Sequence, residues 1–181
     1  MKREAINYET LSKITDTISS SKELDDVSKK IVRTLCRSLG IKGCALMLLD
    51  HKTKELKVAA SSGLSQVYLN KGPVSALKSI TASLSEGPVA IYDVDDDPRI
   101  QYPEEARAEG IKSIMSIPMI LQNKPLGVLR FYTSEPWEFT NQDVIFCHAV
   151  AEIAALVIDN LRMQKGLEST IDVLRVMLDT P

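Results

Sequence analysis

The chain has 181 residues, of which 44% are hydrophobic and 25% are charged, close to the averages for globular proteins. These values exclude a disordered, collagen-like or disulfide-scaffold chain, and the length favours one domain. The net charge is −2, with both signs mixed along the chain, which argues against a nucleic-acid partner. We predict no membrane span, because no run approaches 18 consecutive apolar residues, and the polar start predicts no signal peptide.

The three cysteines, Cys36, Cys44 and Cys147, are an odd number and stand in apolar surroundings. Free cysteines of this kind behave as small buried hydrophobic residues. We therefore predict that all three are reduced core residues of a cytoplasmic protein.

Two helices are predicted first. The N-terminal one has an apolar face at spacings of three and four residues: Leu11, Ile14 and Ile18. The next begins at Ser20 and Glu23, which have capping-box spacing, and ends at Gly40. Its apolar face recurs every four residues: Val27, Ile31, Leu35 and Leu39.

The middle of the chain predicts five strands, at residues 44–49, 56–60, 89–94, 114–121 and 126–133. Two short helices are predicted between them. One has an apolar face of Leu77, Ile80 and Leu84, and the other begins at Pro103 and ends at Gly110.

A long helix closes the chain. Thr140 and Asp143 form a capping pair at its start, and Phe139 with Val144 could supply a hydrophobic staple. The order of elements predicts the α+β class, with a central antiparallel sheet and helices on one face.

Several short motifs then follow one another in order: KELDDV at 22–27, ASSGLS at 60–65, IYDV at 91–94, DPR at 97–99, EGIKS at 109–113, IPM at 117–119, LGVL at 126–129, FTNQD at 139–143 and AEIA at 151–154. Together they resemble the GAF family of sensory and regulatory domains over residues 10–162. The resemblance implies a sheet of five or six strands, terminal helices on one face, and short helices and loops that form a small-molecule pocket on the other. It does not name the ligand, because one fold hosts many functions.

We accordingly divide the chain into a GAF-like sensory domain, residues 1–162, and a C-terminal extension of the long helix, residues 163–181. In similar proteins this extension is a signalling helix that joins the sensor to an output domain. The resemblance therefore implies an output domain or a kinase as a partner.

The two-residue period of the last two strands predicts which side chains face the pocket. Met115, Ile117, Met119, Leu129 and Phe131 should meet the helices. The opposite set includes Ile114, Ser116, Arg130 and Tyr132. For Arg130 two interpretations stay open: a salt bridge to Asp93 or Glu109, or contact with an anionic or polar ligand.

The candidate ligand-binding residues are Ile91, Arg99, Tyr102, Ile114, Ser116, Arg130 and Tyr132. Arg99 and Tyr102 follow the acidic run of residues 93–97, on the loop that covers the pocket in similar domains, which makes them lid candidates. The alternative for Tyr102 is that its ring packs against the sheet.

We predict no catalytic residues, no metal and no cofactor. Residues 63–127 contain no cysteine, which argues against the relatives that reduce free methionine sulfoxide with loop cysteines. None of the three cysteines fits well the position at which bilin-binding relatives attach their chromophore. The signature of cyclic-nucleotide-binding relatives is absent as an ordered set, since Asn70-Lys71 matches only as a dipeptide. His51 and His148 fall on distant elements, and the acidic run fits turn and cap chemistry better than calcium.

The C-terminal tail carries Leu167, Ile171, Leu174 and Leu178 at spacings of 4, 3 and 4, the rhythm of a coiled coil. With Leu11, Ile14 and Ile18 they are the predicted homodimer interface. The alternative is an amphipathic helix that folds back, covered by the N-terminal face of the same chain.

The sequence thus predicts a non-enzymatic sensory or regulatory domain in signal transduction. It would bind an unidentified small molecule and relay its presence through dimeric terminal helices. Two alternatives stay open: a dimerisation or scaffold module without a ligand, and an enzyme of the same fold such as a free methionine sulfoxide reductase.

Overall fold

The computed structural model describes residues 12–16, 23–75 and 88–178. The predicted helix with Leu77, Ile80 and Leu84 lies outside the described residues, as do Leu11, Ile18 and Ser20. Residues 12–16 are helical.

Four further helices and six strands follow within the described residues. The helices are α1 (Leu24–Leu39), α2 (Gln66–Leu69), α3 (Pro103–Ala108) and α4 (Asn141–Leu178). The strands are β1 (Gly43–Asp50), β2 (Glu55–Ser62), β3 (Val74–Ser75), β4 (Val89–Ile91), β5 (Ser113–Leu121) and β6 (Lys124–Thr133).

The strands form one antiparallel sheet in the order β3-β2-β1-β6-β5-β4. This confirms the predicted α+β class. The sequence predicted neither β3 nor α2, and the strand predicted over residues 89–94 ends at Ile91.

Side chains on the two faces of the sheet form separate cores. The helix-side core joins α1 and α4 to one face and includes Val27, Leu35, Ile117, Phe131 and Ala154. The loop-side core covers the other face with residues of α2, α3 and the loops, and includes Tyr68, Val94, Ala106, Ile114 and Tyr132. The central strands β1, β5 and β6 contribute to both cores, so both of their faces are buried.

Helix ends follow the predicted capping chemistry at most positions. Gly40 ends α1 in the left-handed conformation at φ 59°, and Pro103 occupies the first turn of α3. At the start of α4, the Asp143 carboxylate accepts hydrogen bonds from the Thr140 amide and hydroxyl, both at 2.8 Å, and the Asp143 amide donates to the Thr140 hydroxyl at 3.2 Å. The α1 helix differs from the prediction, because it begins at Leu24 after Glu23 and not at Ser20.

Helix α4 runs for 38 residues without a break, and only its first part packs on the sheet. By length and composition α4 could cross a membrane, since an 18-residue window has a mean hydropathy of 1.8. The core helix of a soluble protein meets the same criterion, and 39% of that window is buried inside this protein. From Met163 onward every described residue of α4 is exposed.

The contact between β6 and β1 at Gly127 has no room for a side chain. A Cβ atom there would overlap the carbonyl oxygen of Met47 and lie 3.0 Å from the Cα atom of Leu48. Gly127 therefore permits the close approach of two strands that are buried on both faces.

We predict that Gly127→Ala lowers the free energy of unfolding by about 3 kcal/mol, because the backbone of β1 must move. Gly166→Ala is the matched control, since a Cβ in that exposed part of α4 meets nothing within 4 Å. It should leave stability unchanged or raise it by about 0.5–1 kcal/mol. Urea unfolding of both variants checks the prediction, and equal effects would contradict it.

Candidate functional site

The loop side of β5 and β6 carries the residues that the sequence placed there. Ile114, Tyr132 and Ile91 belong to the loop-side core, whereas Ile117 and Phe131 belong to the helix-side core. The predicted assignment of faces is thereby confirmed. Arg130 lies directly opposite Ser116 on β5, on the same face as Tyr132.

Two tyrosines fill the centre of this face. The rings of Tyr68 and Tyr132 pack edge to face with centroids 5.8 Å apart, and both side chains are buried. Burial raises the pKa of Tyr132, and the positive charge of the Arg130 guanidinium opposes this rise.

Helix α2 brings a lysine to these aromatic rings. The Lys71 ammonium lies 3.7 Å from the centroid of the Tyr68 ring and 6.0 Å from that of Tyr102, and it donates to the Tyr68 carbonyl at 3.0 Å. Burial, followed by the positive charge of Arg130, lowers the pKa of Lys71 from 10.5 to about 8. Lys71 and Arg130 are thus two half-buried cations that act on each other.

A carboxylate holds α2 in place. Glu109, which follows α3, accepts hydrogen bonds from the Ser65 amide at 2.9 Å and from the Ser65 hydroxyl at 2.5 Å. The Ser65 hydroxyl in turn accepts from the Tyr68 amide at 3.1 Å and caps α2. Of the two carboxylates predicted as partners of Arg130, Glu109 accepts from Ser65, and Asp93 accepts from the Asp95 amide at 3.0 Å. The salt bridge of Arg130 stays a prediction.

The loop before α3 closes onto the loop after α2. The Tyr102 hydroxyl donates to the Pro73 carbonyl at 2.8 Å, and the Gln101 amide donates to the same oxygen at 3.1 Å. The missing side chain of Gly72 leaves room for this contact, because a Cβ there would lie 2.7 Å from the Tyr102 hydroxyl oxygen. Tyr102 thus packs on the neighbouring loop, and its role as a lid stays a prediction.

Arg99, the second lid candidate, is exposed, and its side chain contacts neighbouring residues of its own loop. Its guanidinium pairs with Asp97 and donates to the Ala90 carbonyl at 3.0 Å. Asp95 pairs in the same way with Arg107 at 2.7 Å and Lys112 at 2.6 Å. The acidic run therefore organises its loop through turns and ion pairs.

The three thiols do not have the lowered pKa of an activated nucleophile. Burial raises the pKa of Cys36, Cys44 and Cys147, and Cys44 and Cys147 are buried in the helix-side core. Cys36 is half-buried, and its thiol donates to the Ser62 carbonyl at 3.5 Å.

The structure exposes some of the predicted interface residues and buries one of them. The four apolar residues of the tail are exposed: Leu167, Ile171, Leu174 and Leu178. Ile14 is fully buried in the helix-side core of its own chain, which leaves it no surface to offer a partner. The predicted boundary at residue 162 stays a prediction, although the burial of α4 ends there.

Lys71 and Tyr68 are the site residues that the sequence analysis missed. Lys71 was noticed only as part of the Asn70-Lys71 dipeptide, and α2 is too short to show a helical period. The Ser65 cap, which starts a turn after Gly63, was the local signal that could have located α2.

A family model described as GAF domain matches residues 21–159. No curated protein matches the sequence.

Three solved structures show the same fold. The GAF domain of a phosphoenolpyruvate-protein phosphotransferase from Coxiella burnetii is 24% identical, with a TM-score of 0.76 over 87% of this chain and 95% of that one. The free methionine-R-sulfoxide reductase from Neisseria meningitidis is 18% identical, with a TM-score of 0.72 over 86% and 90%. The chromophore-binding domain of the bacteriophytochrome RpBphP3 from R. palustris is 13% identical, with a TM-score of 0.70 over 91% and 64%.

The pKa of Lys71 predicts a dependence of stability on pH. Because the pKa is about 8 in the folded chain and 10.5 in the unfolded chain, the unfolded state holds more protons between these values. Raising the pH through this window therefore stabilises the folded state.

The free energy of unfolding of the parent minus that of Lys71→Met should be flat below pH 7.5 and rise between pH 8 and 10. Other groups titrate equally in both proteins and cancel in this difference. Urea unfolding at pH 7 and at pH 9.5 checks the prediction, and a difference that falls or stays constant would contradict it.

Proposed function

Because the chain belongs to the GAF domain family, we propose that it is a non-enzymatic sensory or regulatory domain of signal transduction. The domain binds a small molecule on the loop side of the sheet and relays its presence through α4 to a second protomer. The C-terminal residues of the long helix would then act on an output domain or a kinase partner.

The observation that carries this proposal is that the same strands supply side chains to both faces of the sheet. Consecutive residues of β6 lie in different cores: Tyr132 lies in the loop-side core, and Phe131 packs with α4 in the helix-side core. A ligand that favours one arrangement of the loop side would therefore alter the packing of α4. The relay is a shift in population between two helix arrangements, driven by different ligand affinities.

The state of the thiols supports a binding role over a redox one. Reduction of a sulfoxide by cysteine begins with an accessible thiolate, and burial keeps these thiols protonated. The reductase from Neisseria meningitidis shares the fold, and one fold can host both binding and catalysis. Free thiols also agree with a cytoplasmic location, which we include in the proposal.

The exposed tail of α4 supports the homodimer. Leu167, Ile171, Leu174 and Leu178 form an exposed stripe, and the opposite side carries Val173, Val176 and Met177, which line a surface groove of about 570 Å³. A helix that is apolar on both sides is normally covered on both sides. A second α4 would cover the stripe.

The packing of the loop side favours a second candidate, a scaffold without a ligand. Tyr68 and Tyr132 are buried and already occupy the centre of that face. In this candidate the tail still forms the dimer, and the loop side serves only as a second core.

Native mass spectrometry of freshly purified protein tests the proposal. We expect a dimer that carries a small molecule, and slower hydrogen exchange in residues 163–178 than after the molecule is removed by dialysis. A dimer with no bound molecule would support the scaffold. Bound molecule with unchanged exchange in α4 would contradict the relay.

The assembly is tested separately by Ile171→Glu with Leu174→Glu, which places two charges in the proposed seam. We expect a dimer in the parent and a monomer in the variant by analytical sedimentation at tens of micromolar, roughly the upper range for a specific contact. Lys165→Gln with Ser169→Glu is the matched control, since it changes the net charge by the same amount on the other side of α4 and should stay dimeric. A monomeric parent would reject the seam.

A further inference from the structure

We propose that a second copy of this chain packs along nearly the whole length of α4, parallel and in register, and that the contact begins on the part of α4 that packs on the sheet. This inference rests on the proposed function, because it gives the extent and the orientation of the dimer proposed there.

Exposed apolar residues of α4 recur every 11 residues. Ile145, Leu156, Leu167 and Leu178 have this spacing, and all four are between 57% and 84% exposed. An 11-residue repeat has about 3.67 residues per turn, so its positions follow the helix axis with little drift. The four side chains therefore lie on one side of α4, over about 50 Å.

Two further positions of each repeat lie on the same side, four and seven residues after the first. They hold Ala149, Asn160, Ile171, Glu152, Met163 and Leu174. Ala149 is half-buried and the other five are exposed. We call the ten residues of the three positions the outer stripe. Because the outer stripe lies opposite the buried side of α4, which includes Ala154 and Ile158, a partner helix can reach it without displacing the sheet.

The tail of α4 is too short to make a dimer of ordinary size by itself. From Leu167 to Leu178 it has 12 residues, whereas specific interfaces use about 20–30 residues on each side. Pairing through the tail alone would also leave Ile145, Leu156 and Met163 exposed on the same side of the helix. A contact along the whole outer stripe adds residues 145–163 and covers these side chains.

Asn160 favours the parallel orientation. In a parallel pair in register each residue meets its own counterpart, and two asparagine side chains can hydrogen-bond to each other because an amide both donates and accepts. A single asparagine in such a seam specifies register and the number of helices. In the antiparallel register that overlaps the whole outer stripe, Asn160 would instead face Met163, and Glu152 would face Ile171. That register would bury two polar groups against apolar ones.

Glu152 is compatible with the parallel pair. Its side chain is 62% exposed and lies toward His148, with the carboxylate oxygen 3.5 Å from the imidazole nitrogen. At the edge of the seam this long side chain keeps its carboxylate in water.

Disulfide cross-linking of the full chain tests the orientation. Leu156→Cys and Leu174→Cys, made separately, place a new thiol at two points of the outer stripe about 27 Å apart. We expect both variants to form disulfide-linked dimers under oxidation with copper phenanthroline, because a parallel pair brings every stripe position to its own counterpart. An antiparallel pair has one centre, so at most one of the two variants would cross-link with itself.

Two proteins set the background of this experiment. The parent shows what its own three thiols contribute, and Lys165→Cys places an exposed thiol on the opposite side of α4. Neither should form linked dimers above the background of random collision. Equal cross-linking of Lys165→Cys and the two stripe variants would contradict the inference.

The extent of the contact is tested by Leu156→Glu, which places a charge in the outer stripe outside the tail. We expect the dissociation constant of the dimer to rise at least about tenfold by analytical sedimentation, because the charge would be buried without a partner. Val67→Glu is the matched control, since it makes a similar change at an 84% exposed residue of α2 and should leave the dimer unchanged. The unfolding midpoint of each variant checks that the domain itself is intact.

The inference and the proposed function fail in different ways. A dimer that Leu156→Glu leaves intact but that the glutamates at 171 and 174 dissociate would confine the contact to the tail and keep the proposed relay. Cross-linking of only one stripe variant would reject the parallel orientation. A monomeric parent would remove both the inference and the dimeric relay, and its sedimentation with phosphatidylcholine vesicles would assign the outer stripe to a lipid surface.

Discussion

Strands β1, β5 and β6 are buried on both faces, and the other features of the domain are arranged around this double burial. Because side chains alternate along a strand, each strand must supply one set to the helices and another to the loops. Gly127 shows how tight the arrangement is, since even a methyl group would overlap β1. The same alternation puts Phe131 and Tyr132 in different cores while keeping them adjacent in the chain. A disturbance on one face therefore has a short covalent path to the other.

The parts of the fold that could be predicted are those with a period or a local cap. The alternation in β5 and β6 predicted their two faces, and the Thr140 and Asp143 pair predicted the start of α4. The two-residue strand β3 and the single turn of α2 are too short to show any period. The predicted start of α1 was wrong, because a pair of residues can have capping-box spacing by chance, as Ser20 and Glu23 do.

The candidate site was predicted only where it lies on strands. The positions of Arg130, Ser116 and Tyr132 followed from strand alternation, but the pairing of Arg130 with Lys71, in which the positive charge of Arg130 lowers the pKa of Lys71, was not predicted. Such a pairing depends on how α2 folds over the sheet, which no spacing in the sequence records. The lid role of Tyr102 stays a prediction, and its contact with Pro73 through the space left by Gly72 is a tertiary feature that the sequence does not record.

The unbroken course of α4 makes it a lever. At 1.5 Å per residue, the 16 residues from 163 to 178 extend about 24 Å beyond the sheet. A tilt of about 5° where the helix leaves β5 would displace the tip by about 2 Å, on the order of the helix shifts seen at switching interfaces. Gly166 lies just past this fulcrum, with open space around it. Glycine gives a helix more conformational freedom than any other residue, so the lever bends most easily close to the point where it leaves the sheet.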